Sequence, residues 1–441
     1  MMDPRDVMSN SDMSVRQIIV VAVTVALCAM DGFDVLAISF ASPGISSEWG
    51  IDRAALGIVL SMELIGMAIG NVVMGRFADA WGRRPIILAC VVLMTIGMWM
   101  VTTADGILVL SIWRIMTGIG IGGTLSAINA VAPEFANAKR RSLCVALMVI
   151  GYPVGATIGG AISANLLGEN DWRSIFEFGA LATAALIPLV YFFVPESVAW
   201  LSEKQPDNAL ERINVILKRM GKSPATTLPA PANPAQKQSV ASIFSTELAP
   251  TTTMVTFAYA LHITTFYYIL KWVPKIVVDL GFEPSSAAGV LMWANLGGAI
   301  GGALFGLLSL KFDLFKLTIV TLLSATVLVT VFGTGFNDLF QLSLICAAVG
   351  FFTNAGVVGL YAILAKVYSA STRATGSGFA IGMGRGGSVL APILAGFLFA
   401  VGQGLQTVSI VMALGSTFAA ILLWNLMRLH SRMPIIVEEI S

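Results

Sequence analysis

Gly75-Arg76-Phe77-Ala78-Asp79-Ala80-Trp81-Gly82-Arg83-Arg84-Pro85 stands between two long apolar runs, and its reading decides the fold. Crossing a bilayer takes about 20 mostly apolar residues. Both flanking runs reach that length, so this charged link must turn the chain at a membrane surface. Gly75 and Gly82 permit a tight turn, and Pro85 is suited to open the next helix. Asp79 has Arg76, Arg83 and Arg84 within reach, so the junction carries an ion network that can be made and broken. The three arginines could also serve only to mark a membrane side, but that does not account for the glycine–acid–glycine–basic spacing.

The rest of the chain agrees. Its 441 residues are 56% hydrophobic and 12% charged, where a soluble domain carries about 25% charged residues. A net charge of +1 gives no bulk attraction to nucleic acid. Cys28, Cys90, Cys144 and Cys346 all lie in apolar runs without metal spacing, as inert core thiols would. Twelve segments qualify as spans: 16–40, 54–76, 85–103, 107–132, 142–167, 173–194, 249–272, 285–309, 315–335, 338–363, 374–401 and 405–428. The expected organisation is a tail over 1–15, a six-helix bundle over 16–197, a polar central loop over 198–245, a second bundle over 246–428 and a tail over 429–441. Within the central loop, Asn208–Met220 has the pattern of an amphipathic helix, and Ser223–Pro234 that of a linker.

Basic residues set the orientation. With the N-terminus inside, 20 of the 26 Lys and Arg fall on the cytosolic side, against Arg53, Arg173, Lys271 and Lys275 outside. Both termini are therefore expected in the cytosol. The halves also repeat. Gly75 matches Gly306 at an offset of 231, and Arg141 with Arg373, and Gly155 with Gly387, match at 232. Three anchors whose offsets agree to within one residue argue for duplication, with the halves related by an axis along the membrane normal. The second copy of the link, Gly306 to Asp313, lacks an acid at the place of Asp79.

Together these features resemble the major facilitator superfamily. The link between spans 2 and 3 is similar to its signature. So are Arg114-Ile-Met-Thr-Gly118-Ile-Gly120-Ile-Gly122, Pro133-Glu134 with Lys139-Arg140-Arg141, and Pro195-Glu196-Ser197. Asp31-Gly32-Phe33-Asp34 resembles the motif of aromatic acid:proton symporters, and Gly384-Arg385-Gly386 fits the same family. One departure is Gly151-Tyr152-Pro153, which lacks the glycine-proline order usual in the drug antiporters of the superfamily. The resemblance implies an all-α membrane protein of twelve transmembrane helices in two pseudo-symmetric six-helix bundles. It implies import of a small aromatic carboxylate with protons by alternating access, driven by the proton gradient without a cofactor. The short loops and the lack of a glycosylated outer loop point to a bacterial inner membrane, and the chain is expected to be a monomer. Gly75, Asp79, Gly82, Arg83, Arg84, Glu134, Arg141 and Arg373 would form the cytosolic gate.

Ionisable residues at membrane depth are functional candidates, because burial costs a few kcal/mol or more unless they are paired or hydrated. At about 1.5 Å per residue, Asp31 lies roughly 22 Å up helix 1, Arg114 roughly 24 Å up helix 4 and Glu63 roughly 18–20 Å up helix 2. Asp31 and Asp34 share a helix face and stand level with Arg114, as a proton site would require. The alternative is a permanent ion pair between helices 1 and 4. Glu63 is either proton-linked or the partner of a polar neighbour. Arg385 comes out near the midplane among glycines, so it is expected to grip a carboxylate two-pronged; the alternative is pairing with an acid such as Glu63. His262, Phe266 and Tyr267 on helix 7, with Asn295, Asn354 and Tyr361, are expected to line the substrate pocket. The asparagines could equally be helix-packing glue, and Tyr267 and Tyr268 interface anchors.

Other functions find less support. With only His262 and His430 as histidines, no nucleophile–base pair and no metal spacing, a membrane enzyme is disfavoured. A transporter-like sensor would want a longer tail, and an ATP-driven pump a Walker sequence. An exporter, or a carrier of another organic acid or a sugar, would use the same fold. The glycine runs 118–123, 155–160 and 297–302 lie mid-span and are expected to let helices approach closely.

Overall fold

The computed structural model describes residues 3–229, 240–246, 248–369 and 372–432, and within them every regular element is helical. Two short helices flank or follow the first spans: α1 (Pro4–Asn10) and α8 (Val198–Lys204). The first six spans are α2 (Val15–Trp49), α3 (Arg53–Trp81), α4 (Arg83–Val101), α5 (Ile107–Glu134), α6 (Arg141–Glu169) and α7 (Arg173–Phe193). The amphipathic helix is α9 (Ala209–Arg219). The last six spans are α10 (Ala249–Asp279), α11 (Pro284–Leu308), α12 (Leu314–Phe332), α13 (Leu339–Val367), α14 (Arg373–Ala400) and α15 (Leu405–Arg432). All twelve are long and apolar enough to cross a membrane. Most of the Ser223–Pro234 linker is described only as far as 229, and the tail beyond 432 lies outside the described residues.

Several spans outrun their apolar windows. α2 continues past Pro43 to Trp49, and α10 past Pro274 to Asp279. Lys271, counted from sequence in an outer loop, is therefore inside α10 and fully buried. The charged link also differs from expectation. Gly75 and Arg76 are helical, as the span 54–76 has them, but α3 runs on to Trp81. Gly82 alone makes the turn, at a φ of 112° that side-chain-bearing residues rarely adopt.

The chain divides into two compact units, Met1–Gln236 with Val277–Met292, and Lys237–Ile276 with Trp293–Ser441. In the first, close helix pairs are set by glycine. A Cβ at Gly66 would collide with the Ile115 carbonyl oxygen, and one at Gly118 with that of Glu63, so α3 and α5 touch backbone to backbone. Gly32 and Gly155 do the same for α2 against α6, facing the carbonyls of Tyr152 and Ala29. In the second unit, Gly297 and Gly301 face the carbonyls of Ala347 and Phe351, while Gly350 faces that of Ala294. These glycines bring α11 against α13 at the offset of 231–232 residues from Gly66, Gly70 and Gly118 that the repeat anticipates. Small residues that let backbones meet are the membrane's substitute for a hydrophobic driving force. Large side chains such as Leu108, Phe192 and Phe340 point outward, as a lipid-facing surface requires.

Helix starts are capped by the local sequence. Ser14 and Gln17 form a reciprocal capping box at α2, and the Gln17 side-chain amide also donates to the Phe135 carbonyl at the end of α5, at 3.0 Å. Asp52, Asp313 and Asp338 cap α3, α12 and α13. The expected N-terminal tail is in part ordered: α1 buries Val7 and Met8, and the Ala138 amide donates to the Ser9 carbonyl at 2.8 Å.

Candidate functional site

The first unit gathers Asp31, Asp34, Glu63 and Arg114 in one cluster with no exposed surface. Expectation paired the arginine with the two aspartates. Instead Glu63 forms the ion pair with the Arg114 guanidinium. Backbone contact between α3 and α5 at Gly66 and Gly118 brings these two side chains together. Arg114 does meet α2, but through main chain: Nη2 donates to the Asp34 carbonyl oxygen at 3.0 Å. Its Nη1 lies 3.1 Å from Met98 Sδ, and the guanidinium sits 5.3 Å from the Phe176 ring centre. That leaves the carboxyl groups of both Asp31 and Asp34 without a hydrogen-bond partner among the described residues. The Thr183 hydroxyl stands beside Asp34 without meeting hydrogen-bond geometry. Gly179 of α7 makes room for the Met98 methyl beside this cluster, which a Cβ there would strike.

The link between α3 and α4 is held from a direction the local sequence does not suggest. Asp79 pairs with Arg83 one turn on, at 2.5 Å. Capping of α4 falls to Glu196. Its Oε1 accepts from the amides of Arg83 at 2.8 Å and Ser197 at 2.8 Å. A Cβ at Gly82 would strike the Glu196 carboxylate, so the glycine serves both the turn and the cap. Trp200 Nε1 donates to the Asp79 carbonyl at 3.0 Å and completes the fastening to α8. Arg84 turns the other way: Nη2 donates to the Tyr191 carbonyl at 2.6 Å. Gly75 lies against Ser126 of α5. Glu134 and Arg141 line a cavity of about 230 Å³ with Arg5 and Met8 of α1, and Arg141 Nη2 reaches Ser9 Oγ at 3.4 Å. Arg373, at the start of α14 in the second unit, is exposed.

The second unit holds the residues expected around a substrate. His262 is fully buried with both ring nitrogens occupied. Nε2 lies 2.8 Å from the Thr353 carbonyl, so it donates, and Nδ1 accepts from the Ser416 hydroxyl at 2.8 Å. Asn354 donates to the Gly298 carbonyl at 2.6 Å and ties α13 to α11. Asn295 is buried, and Phe266 and Tyr267 are half-buried with their rings edge to face. Tyr361 shares a 3.0 Å hydroxyl contact with Tyr259, a residue absent from the sequence expectation. Tyr259, His262 and Phe266 follow one helical stripe, and that spacing was the available signal. Gly384 leaves room for the Tyr259 ring, and Arg385 follows it on α14. Among the described residues the half-buried Arg385 guanidinium makes no hydrogen bond or ion pair, and its Nε is shut off from solvent. No group of three or more His, Cys, Asp or Glu suited to a metal ion occurs among the described residues.

Residues 23–333 match the family model described as Major Facilitator Superfamily. The chain is 29% identical over 424 residues to the 3-(3-hydroxy-phenyl)propionate transporter of Escherichia coli K12, covering 96% of this chain and 97% of that one. It is 26% identical over 431 residues to the gallate transporter of Pseudomonas putida, covering 95% and 94%. Among solved structures, the xylose transporter XylE from E. coli, in a partially occluded inward open conformation, superposes with a TM-score of 0.70 at 17% identity. That match covers 93% of this chain and 98% of that one, a likeness of fold.

Proposed function

This chain belongs to the Major Facilitator Superfamily, and on that premise we propose that it imports a small aromatic carboxylate together with protons. It works across the inner membrane of a bacterium by alternating access, with both termini cytosolic. The proton gradient is the energy source and no cofactor takes part. Relatives that span nearly the whole chain are named as transporters of a hydroxyphenylpropionate and of gallate, which supports the aromatic acid as cargo.

The observation that carries the coupling is a charge count. Three carboxyls and one guanidinium are fully buried together, and Glu63 already neutralises Arg114. A buried charge without a partner costs several kcal/mol, and a bound proton removes that cost. Asp31 and Asp34 are thus the groups that carry the transported protons, and the Glu63–Arg114 pair beside them is a fixed unit of no net charge. On the substrate side, Arg385 is the cation available to a carboxylate, with the Tyr259–Tyr361 hydroxyls next to it for ring substituents.

The test is uptake of labelled 3-hydroxyphenylpropionate, benzoate and hydroxybenzoates into proteoliposomes carrying an imposed proton gradient. Accumulation that a protonophore abolishes is the expected result. Asp31→Asn should lose accumulation while keeping exchange of pre-loaded substrate. Concentrative uptake persisting in both Asp31→Asn and Asp34→Asn would refute the coupling site, and no uptake of any aromatic acid would refute the cargo.

A further inference from the structure

A cavity of about 690 Å³ opens in the first unit, at the end of the helices where α9 lies against α2, α4 and α7. Four arginines line it: Arg16 of α2, Arg84 of α4, and Arg212 and Arg219 of α9. None forms an ion pair with an acid among the described residues. Two acids share the wall, Glu196, which accepts from the amides that start α4, and Glu211, exposed on α9 as Arg212 and Arg219 are, so four guanidinium groups stand against two carboxylates. The cavity therefore carries a surplus of positive charge. Its arginines are also positioned. Arg16 Nη1 donates to the Arg219 carbonyl at 2.9 Å, which fastens α9 to α2. The Arg84 guanidinium lies 5.2 Å from the Tyr191 ring centre, and its Nε is buried without a hydrogen-bond partner.

The remaining wall is apolar. Tyr191, Phe192 and Phe193 form the last turn of α7 and are 55%, 72% and 46% exposed. Ile18, on the neighbouring start of α2, is 48% exposed. Exposed aromatic rings at the end of a span mark the boundary between hydrocarbon and headgroups. A cationic cavity opening directly onto such a surface fits a molecule that is anionic at one end and apolar along its length. A soluble anion would use the arginines and leave the aromatic wall idle; a zwitterionic lipid would leave the surplus charge unanswered.

We propose that this cavity holds the headgroup of an acidic phospholipid, its phosphodiester oxygens on the guanidinium groups and its acyl chains along Ile18 and the α7 aromatics. Planar guanidinium groups meet phosphate oxygens two-pronged, and basic pockets at the membrane boundary recognise lipid headgroups by this chemistry. In the topology proposed above, the lipid belongs to the inner leaflet. The consequence is that α9 is fastened to the bundle by lipid as well as by protein.

The test uses the purified full-length protein in a neutral detergent. Dioleoyl phosphatidylglycerol, dioleoyl phosphatidylcholine and sodium phosphate are titrated separately, with bound lipid read by native mass spectrometry and unfolding temperature read in parallel. Arg212→Gln with Arg219→Gln removes two cavity guanidinium groups from the exposed side of α9, and spares the Arg219 carbonyl that Arg16 uses. Lys311→Gln with Lys316→Gln, exposed residues of the second unit, is the charge-matched control. Expected is a retained phosphatidylglycerol with a raised unfolding temperature, a preference over phosphatidylcholine that falls tenfold or more in the α9 variant, and no change in the control. Equal retention of the two lipids overturns the proposal. So does a preference that survives in the α9 variant or falls equally in the control. Stabilisation by phosphate matching that by phosphatidylglycerol would make the cavity a site for soluble anions and overturn the lipid.

Discussion

Replacing Glu63 by Gln tests the buried cluster most directly. The substitution keeps the shape and removes the charge that neutralises Arg114. Breaking a buried ion pair from one side typically costs about 3–5 kcal/mol, because the remaining charge is stranded. Here a substitute stands close: Arg114 Nη2 is already 3.0 Å from the Asp34 carbonyl, and the Asp34 carboxyl has no other partner. Asp34 should give up its proton and take over the pairing, so Glu63→Gln alone should cost well under the full amount. Asp34→Asn alone should cost little. The double variant has lost both partners, should bear the full cost of about 3–5 kcal/mol, and should depart from additivity by about 1–3 kcal/mol. At about 2–4 °C per kcal/mol for a unit of 150–250 residues, the double variant should unfold roughly 6–20 °C below wild type. The assay is built in. Cys28, Cys90 and Cys144 are buried free thiols of the first unit, so a thiol-reactive fluorophore reports its unfolding, with Cys346 reporting the second. Additive singles, or an Asp34→Asn as costly as Glu63→Gln, would refute the assignment of Glu63 as the standing partner.

Further outcomes follow from the same geometry. Arg385→Ala should weaken aromatic acid binding tenfold or more, since a charge-assisted contact contributes about 1.5–3 kcal/mol. Arg385→Lys should recover part of it, and loss of preference for the acid over its neutral amide in calorimetry would identify the carboxylate as what is read. Glu196→Ala removes the acceptor for the Arg83 amide and should cost about 1–3 kcal/mol in thermal unfolding, whereas Glu196→Gln, which keeps the acceptor, should cost less. Gly118→Ala should destabilise the first unit by driving a methyl into the Glu63 carbonyl. Gly289→Ala in α11, with open space around it, should stabilise by up to about 1 kcal/mol in the same melting assay.

The charged link shows how far local reading extends. Its glycines, acid and arginines announce a turn at a membrane surface, and the turn is there. Which glycine makes it was not legible, because a helix does not stop where hydrophobicity stops. α3 runs on through Gly75 to Trp81, held by Trp200, and α4 after it is capped from Glu196, residues more than a hundred positions away. The short helices α1 and α8 were illegible for a different reason: seven residues hold too few turns for a periodic pattern, and both depend on what they dock against.

By itself the sequence determined the twelve spans, since hydrocarbon demands about 20 apolar residues for each crossing. It also determined the duplicated pattern, because the glycines that admit close helix contact recur in both units at offsets that agree to within one residue. It singled out Asp31, Asp34, Glu63 and Arg114 as charges the membrane penalises wherever they stand, though not Lys271, whose helix outruns its apolar window. What it left undecided was their pairing. Rise per residue placed Asp31, Glu63 and Arg114 at nearly one depth, and depth says nothing about which side of a helix faces which neighbour. The tertiary structure decided that through Gly66 and Gly118, which bring α3 and α5 to backbone contact and hand Arg114 to Glu63, leaving the two aspartates of α2 unpaired.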